Sequence, residues 1–139
     1  MAETPTVLFV CVKNGGKSQM AAGLMRQLSG DRVQVDSAGT RVGTSLNDLS
    51  VRVLHEVGVD IDEETPKPMT DDLLRAADLV ITLGREAQVD PFPGTPVENW
   101  DTDEPSERGI EGLERMRLIR DDITARVHQL AADLAVEPR

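Results

Sequence analysis

The sequence predicts a single α/β domain in which helices flank a four-stranded parallel sheet. Short apolar runs alternate along the chain with segments of helical periodicity, a pattern typical of parallel strands joined by crossover helices. The first run, Thr6–Val12, has an unbroken apolar character from its second residue on, as expected for a strand buried on both faces. The chain has 139 residues, enough for one sizeable core, and shows no repeat or linker. Residues 1–139 are therefore expected to form one domain.

The other elements follow from apolar spacing and from turn and capping residues. In the first half these are a helix Ser18–Leu28 capped by Ser18 and ended by Ser29-Gly30, a strand Val33–Ser37, a turn Ser37–Thr40, and a helix Leu46–Glu56 started by Ser45 or Asn47. After an acidic connection they are a short helix capped by Thr70 and reaching Ala77, a strand Asp78–Leu83, a polar loop Gly84–Pro96, a strand Val97–Trp100, an acidic loop Trp100–Pro105, and a long helix from Glu111 to Leu134.

The composition excludes several functional classes. The formal net charge of -10 argues against general binding to nucleic acid or to anionic membranes, and an aromatic content of 2% without tyrosine leaves no stacking platform for bases. No apolar run is long enough to cross a bilayer, and the first residues show no signal-peptide pattern. The single cysteine cannot form an internal disulfide, so a reduced, cytoplasmic location is expected.

Cys11 is the strongest candidate for a catalytic residue, because it stands where the first strand ends and a glycine-containing turn begins. Ligands of parallel sheets bind at the carboxyl ends of strands, and Gly84 and Trp100 stand at two further strand ends. Backbone N–H groups of the turn and of the first helical turn favour an oxyanion there and stabilise a cysteine thiolate. A core cysteine needs neither such a turn nor adjacent lysines, so we predict that Cys11 is a nucleophile. The predicted oxyanion-binding residues are Val12, Lys13, Asn14, Gly15, Gly16, Lys17 and Ser18.

Parts of this loop have two interpretations each. Ser18 is either an ordinary helix cap or a hydroxyl donor to the Cys11 thiolate. Lys17 is either a surface lysine or a ligand of the anion, and the second is favoured because a cation at a helix N-terminus is unfavourable without an anion to hold. The stretch 14–16 is either a flexible turn or a cradle that lets the backbone approach an anion closely.

The pattern C-x5-[R/K]-S after a strand, here Cys11 to Ser18, resembles the signature loop of the low-molecular-weight protein tyrosine phosphatases and of their arsenate reductase relatives. The residues that follow, QMA at 19–21, resemble the arsenate reductase branch, and the segments 37–40 and 77–83 resemble further family motifs. The resemblance covers nearly the whole chain. It implies a low-molecular-weight phosphatase-like fold, Cys11 as the nucleophile, and Lys17 and Ser18 as further catalytic residues.

The resemblance also suggests where the general acid lies. The family's acid is an aspartate close before a proline, in a loop near the C-terminal helix. In the acidic run Trp100–Pro105 the best match is Asp103, and Asp101 is the second choice. The resemblance therefore implies that Asp103 protonates the oxygen that leaves.

Three departures from the family pattern bear on the reaction. The usual arginine of the signature loop is Lys17 here, a point charge in place of a bidentate donor. The chain has no tyrosine to wall a phosphotyrosine slot. Where the thioredoxin-coupled arsenate reductases carry two further cysteines, this chain has Gly84 and, near the end of the loop, Asp90. The chain is thus most similar to the single-cysteine, mycothiol-dependent arsenate reductases, which implies an external thiol.

The function implied by the resemblance is arsenic detoxification by an arsenate-mycothiol transferase. The Cys11 thiolate attacks arsenate, Asp103 supplies a proton, mycothiol as co-substrate forms an arseno-thiol conjugate, and a mycoredoxin reduces this conjugate to arsenite. Mycothiol is favoured because the excess of arginine over lysine is typical of GC-rich actinobacterial genomes. The alternatives are a protein tyrosine phosphatase and a non-catalytic oxyanion or phosphate carrier. No bound cofactor or metal is predicted, since His55 and His128 follow ordinary helical patterns.

Overall fold

The computed structural model describes residues 4–90 and 94–134, so the predicted loop Gly84–Pro96 and both ends of the predicted domain lie partly outside the described residues. Within these ranges the sheet has four strands: β1 Thr6–Cys11, β2 Gln34–Gly39, β3 Leu79–Leu83 and β4 Val97–Trp100. Every strand pairing is parallel, and the order across the sheet is β2-β1-β3-β4. The predicted α/β fold with a four-stranded parallel sheet is confirmed.

Helices connect and cover the strands. In the described ranges they are α1 Lys17–Ser29, α2 Asp48–His55, α3 Asp71–Ala76 and α4 Gly112–Asp133, with 3-10 turns at Gly30–Arg32 and Pro105–Arg108. The side chain of Asn47 caps α2 by accepting the Ser50 N–H at 2.9 Å, and that of Thr70 caps α3 by accepting the Leu73 N–H at 3.2 Å. Thr70 was predicted as a cap, and Asn47 was one of the two candidates for the start of the second helix.

Two local predictions are wrong. Ser18 does not cap α1, because the helix begins one residue earlier with Gly16 as its N-cap, and the Ser18 hydroxyl bonds to side chains instead. The predicted turn Ser37–Thr40 is mostly strand, since residues 37–39 pair with the end of β1 and extend β2.

β1 is buried on both faces, as its apolar run predicted. Val7 and Phe9 belong to the hydrophobic cluster that includes residues of α1, α2 and α4, whereas Leu8 and Val10 pack with Leu74 of α3. Burying a side chain of this size fully contributes about 1.5–3 kcal/mol. The two clusters together hold the end of β1, and the cysteine that closes it, in a fixed position.

The parallel arrangement brings the carboxyl ends of β1, β3 and β4 to one edge of the sheet. At this edge the Gly84 N–H donates to the Trp100 carbonyl at 2.9 Å, which joins the loops after β3 and β4. Among the helices of the described residues, none combines the length and the apolar character needed to span a membrane.

Candidate active site

The loop between β1 and α1 uses its carbonyl groups to hold the segment that follows β2. Four backbone carbonyls accept N–H groups of this segment: Cys11 from Thr40 at 3.0 Å, Val12 from Arg41 at 2.8 Å, Lys13 from Gly43 at 2.9 Å and Gly15 from Asn47 at 2.7 Å. Over the described ranges, no backbone carbonyl accepts an N–H from residues 13–18. These N–H groups therefore have no backbone acceptor within the described residues, and they lie at the positive end of the α1 dipole.

Close packing explains the need for glycine in and beside this loop. A Cβ on Gly15 would stand 2.7 Å from the carbonyl oxygen of Ser45, and a Cβ on Gly39 would stand 2.7 Å from that of Val12. The residue of the loop with a positive φ is Asn14, at 57°. The stretch 14–16 is therefore a tightly packed turn and not a flexible one.

Cys11 lies at the floor of the site with 9% of its surface exposed, and its Sγ is 2.8 Å from Ser18 Oγ. The Asn14 side chain donates to the same Ser18 oxygen at 2.8 Å, so the Ser18 hydroxyl proton is free to point at the sulfur. In that orientation the hydroxyl stabilises a thiolate. Of the two interpretations of Ser18, the geometry favours the hydroxyl donor.

A buried polar network holds Asn14 in its left-handed conformation. Its Oδ1 accepts from the Gln19 side chain at 3.1 Å and from the Lys67 backbone N–H at 3.0 Å. Asn14, Ser18 and Gln19 are all nearly fully buried. Buried polar groups that are fully paired fix one geometry, so this network sets the shape of the loop. Sequence reasoning missed the role of Gln19, whose signal is a polar residue on the buried face of α1.

Lys17 is paired with Glu104, a residue that sequence reasoning did not single out. Lys17 Nζ contacts Glu104 Oε1, and Arg115 Nη2 donates to Glu104 Oε2 at 3.2 Å. Burial is the largest single influence on Glu104 and raises its pKa, but the hydrogen bonds and charges of Lys17 and Arg115 outweigh it. The pKa of Glu104 therefore lies below its usual value, and the residue is a carboxylate at neutral pH.

Asp103 points to a different partner. Its two carboxylate oxygens accept from Arg108 at 2.8 and 3.1 Å, and these hydrogen bonds hold the pKa of Asp103 below its usual value. Asp103 is not among the described residues that line the cavity above Cys11. The charge of Lys17 contributes to the same lowering, so Asp103 lies near the site although its carboxylate is bonded to Arg108. Asp101 does line the cavity, and its Oδ1 accepts from Arg85 Nε at 2.9 Å.

A cavity of about 1000 Å³ opens above Cys11. Within the signature loop from Cys11 to Ser18, Asn14 and Ser18 are buried behind the surface of the cavity. The other six residues line it: Cys11, Val12, Lys13, Gly15, Gly16 and Lys17. Its walls are formed by residues 43–47 after β2, residues 83–86 after β3, and the region after β4 with Arg115 of α4. The segments that follow all four strands therefore meet at one site, as expected for a parallel sheet.

Both histidines are exposed and neither lines this cavity. His55 lies near Asp60 and Asp62, and one ligand atom from each of the three lies within 4.8 Å of the others. Sequence reasoning did not predict this surface group. Its side chains are about half or more exposed, and the backbone N–H of Asp62 already occupies Asp60 Oδ1 at 2.8 Å.

The parallel sheet, the cysteine at the end of β1 and the loop before α1, whose N–H groups lack a backbone acceptor in the described ranges, together define a phosphatase-type fold. The family model described as low molecular weight phosphotyrosine protein phosphatase matches residues 6–139. The chain belongs to this family.

Several of the similar proteins are described as arsenate reductases. An arsenate reductase of Bacillus licheniformis is 37% identical over 135 residues, which cover 91% of this chain and 94% of that protein. A structure described as a thioredoxin-dependent arsenate reductase of Corynebacterium glutamicum superposes with a TM-score of 0.81 at 34% identity. That alignment covers 96% of this chain and 63% of the other, so this chain spans less than two thirds of that protein. A structure described as an arsenate reductase in the phosphate binding state has a TM-score of 0.80 at 29% identity and covers 93% and 98% of the two chains.

Proposed function

We propose that this protein is an arsenate reductase that acts as an arsenate-mycothiol transferase. The observation that carries the proposal is a lone Cys11, hydrogen-bonded to Ser18 inside an anion-binding loop, in a chain without a second cysteine. One cysteine can bond to arsenic but cannot form an intrachain disulfide, so the reducing thiols must come from outside. The similarity to arsenate reductases supports arsenate as the substrate.

The reaction has two transfer steps and a separate reduction. The Cys11 thiolate first forms an S–As bond, and one As–O bond breaks as the protonated oxygen leaves as water. The mycothiol thiolate then attacks arsenic, the Cys11–As bond breaks, and the free enzyme returns. Arsenic stays As(V) in both steps. A mycoredoxin thiol finally attacks the sulfur of the conjugate, so that As(V) is reduced to As(III), arsenite leaves, and two sulfurs are oxidised to a mixed disulfide.

The proton transfer is assigned to Glu104 in place of Asp103. Glu104 lines the cavity and contacts Lys17, whereas Asp103 is held by Arg108. An arsenate that binds Lys17 adds negative charge beside Glu104, which favours the protonated form and makes the residue a proton donor. Asp101 is more exposed and is bonded to Arg85, so it is the second choice.

The shape of the cavity supports a small external thiol. One tetrahedral oxyanion fills only a small part of about 1000 Å³, and polar residues such as Ser45, Asn47 and Arg85 line the rest, which suits a hydrophilic co-substrate. The similar Corynebacterium glutamicum protein is described as thioredoxin-dependent. A thioredoxin cycle through an intrachain disulfide needs a second cysteine, and residues 84 and 90 are glycine and aspartate here. The proposal includes a reducing, cytoplasmic setting in which Cys11 stays a thiol.

A protein phosphatase is the second candidate, because the family match and the Cys11 loop suit a phosphocysteine intermediate equally well. Water would then replace the thiol in the second step. Lys17 in place of the usual arginine and the lack of tyrosine in the chain disfavour a phosphotyrosine substrate.

The test is mass spectrometry of the small thiols after the protein is incubated with arsenate and either mycothiol or glutathione. The expected product is an arseno-mycothiol conjugate that is absent with the Cys11→Ser variant, whose fold is checked by its thermal melting curve. Hydrolysis of an aryl phosphate without any conjugate would establish the phosphatase instead. A stable phosphocysteine with no turnover would indicate a carrier.

A further inference from the structure

Glu104 joins the oxyanion loop to a helix from another part of the chain. Its two carboxylate oxygens have different partners: Oε1 contacts Lys17 of α1, and Oε2 accepts from Nη2 of Arg115, in α4, at 3.2 Å. Because the two contacts use different oxygens, one of them can break while the other persists.

Arg115 uses only part of its capacity to bind a carboxylate. Its Nε is buried and has no hydrogen-bond partner among the described residues. Nε and Nη2 lie on the same edge of a guanidinium, and this edge binds a carboxylate through two parallel hydrogen bonds. Only Nη2 donates to Glu104, so the Nε–H remains able to donate to the second carboxylate oxygen, Oε1.

We propose that Lys17 exchanges partners when an oxyanion binds, and that Arg115 is the positioning residue that permits this exchange. In the free site Glu104 forms an ion pair with Lys17 and therefore competes with the anion for this lysine. When the anion takes Lys17, Glu104 Oε1 turns to Arg115 Nε, and one guanidinium then holds both oxygens of the ionised carboxylate. The proton-donor form of Glu104 arises afterwards, when Oε1 leaves Nε and takes up a proton while Oε2 keeps its bond to Nη2. This inference rests on the proposed function only in treating the Cys11 loop as an oxyanion site.

The exposure of the three side chains makes the exchange feasible. Lys17, Glu104 and Arg115 are 18%, 27% and 29% exposed, so the ion pair of the free site is partly screened by solvent. The incoming oxyanion gains the backbone N–H groups of residues 13–18 in addition to Lys17, and Glu104 in return gains a second hydrogen bond from Arg115.

The experiment is a double-mutant cycle on phosphate affinity, measured by isothermal titration calorimetry. Phosphate is the probe because it has the tetrahedral shape of arsenate and needs no thiol. Glu104→Gln removes the competing charge, so phosphate is expected to bind about three- to tenfold tighter while arsenate turnover falls. Arg115→Met leaves Glu104 on Lys17 alone, and phosphate is expected to bind about threefold more weakly. Arg115→Lys is expected to restore part of this loss.

Arg108→Met is the matched control, because Arg108 is a nearby cation that contacts Asp103 and not Glu104. In the Glu104→Gln background, Arg115→Met is expected to weaken binding no more than Arg108→Met does, because Arg115 acts only through Glu104. A larger loss in that background would show that Arg115 binds the anion directly and would overturn the proposal. Unchanged or weaker phosphate binding by Glu104→Gln would also overturn it.

The two proposals fail in different ways. Thermal melting curves show whether each variant is folded. Glu104→Gln tests the competition for Lys17, and Arg115→Lys tests the role of Arg115 where Arg115→Met does not fold. Phosphate affinity of Arg115→Lys equal to that of the wild type would overturn that role, because lysine lacks the paired Nε and Nη2 donors. The expected affinities without any arseno-thiol conjugate would contradict the proposed function alone. No phosphate binding by the wild-type protein would contradict both, because both require an oxyanion site at Cys11.

Discussion

The floor of the cavity, formed by the loop around Cys11, and its wall, formed by the acidic region after β4, are stabilised by different forces. The floor depends on Asn14, Ser18 and Gln19, which are neutral, nearly fully buried and hydrogen-bonded to one another. The wall depends on ion pairs such as those of Glu104 and Asp101, whose side chains are partly exposed. A buried polar group without a partner costs about 1–3 kcal/mol, whereas an exposed ion pair contributes about 0–1 kcal/mol. The floor therefore fixes a geometry, and the wall is able to change partners.

Removing Asn14 is expected to have the largest effect, because it breaks the floor. Asn14→Ala leaves the Lys67 N–H without its acceptor, frees the Ser18 oxygen and places alanine at a φ of 57°. We expect the free energy of unfolding to fall by about 3 kcal/mol and Tm by about 6–12 °C. Circular dichroism melting curves measure this, with the exposed neighbour Lys13→Ala as control. A Tm loss no greater than that of the control would show that the buried network does not stabilise the fold.

The wall is tested by comparing two adjacent carboxylates. Glu104→Gln is expected to lower arsenate turnover by about 100-fold, because general acids contribute roughly 10²–10⁴-fold. Asp103→Asn is expected to change it by less than about threefold, since its carboxylate is held by Arg108 and does not line the cavity. Steady-state kinetics with the same thiol measure both variants. The opposite order would return the role of the acid to Asp103.

Ser18 is expected to show a smaller effect on the chemistry. Ser18→Ala removes the hydroxyl that lies 2.8 Å from Cys11 Sγ, so alkylation of Cys11 by iodoacetamide at neutral pH is expected to slow by about tenfold. The control is Ser50→Ala, because the Ser50 hydroxyl is also buried but has no partner among the described residues. An equal rate in both variants would show that Ser18 does not act on the sulfur.

The sequence predicted the floor better than the wall, and the physical reasons differ. β1 was predicted because a doubly buried strand must be apolar, and Cys11 because it closes that strand before a glycine turn. Which acidic residue faces the cavity depends on Arg108 and Lys17, which lie on different elements. No local pattern in the run Trp100–Pro105 records those contacts.

The error at Ser18 has a similar origin. A serine at the start of a helical pattern is a typical cap, but here α1 begins one residue earlier and the hydroxyl is used by Asn14 and Cys11. Cys11 closes β1 and Asn14 lies in the loop that follows. The conformation of this loop depends on the Lys67 N–H, 53 residues away from Asn14. Local signals predicted where the helix starts to within one residue, but they do not indicate which groups the serine bonds.

The smallest effect is expected at Glu56, whose ion pairs with Arg117 and Arg120 do not border the cavity. It joins the end of α2 to α4, accepting from Arg117 Nη2 at 2.6 Å and from Arg120 Nη1 at 2.9 Å. The hydrogen bond from Arg117, supported by Arg120, lowers the pKa of Glu56 to about 2. A carboxyl with a depressed pKa in the folded state stabilises the fold above its unfolded pKa, and this contribution is lost as pH falls.

Glu56→Gln is therefore expected to lower Tm slightly at pH 7 and to leave phosphate affinity unchanged. The Tm difference from wild type should shrink as the pH falls from about 4.5 towards about 2, because Glu56 then becomes protonated in the wild type as well. Melting curves at pH 7, 4 and 3 measure this. A change in phosphate affinity as large as that of Glu104→Gln would mean that the site responds to any ion pair near α4. In that case partner exchange would not be a property of the wall.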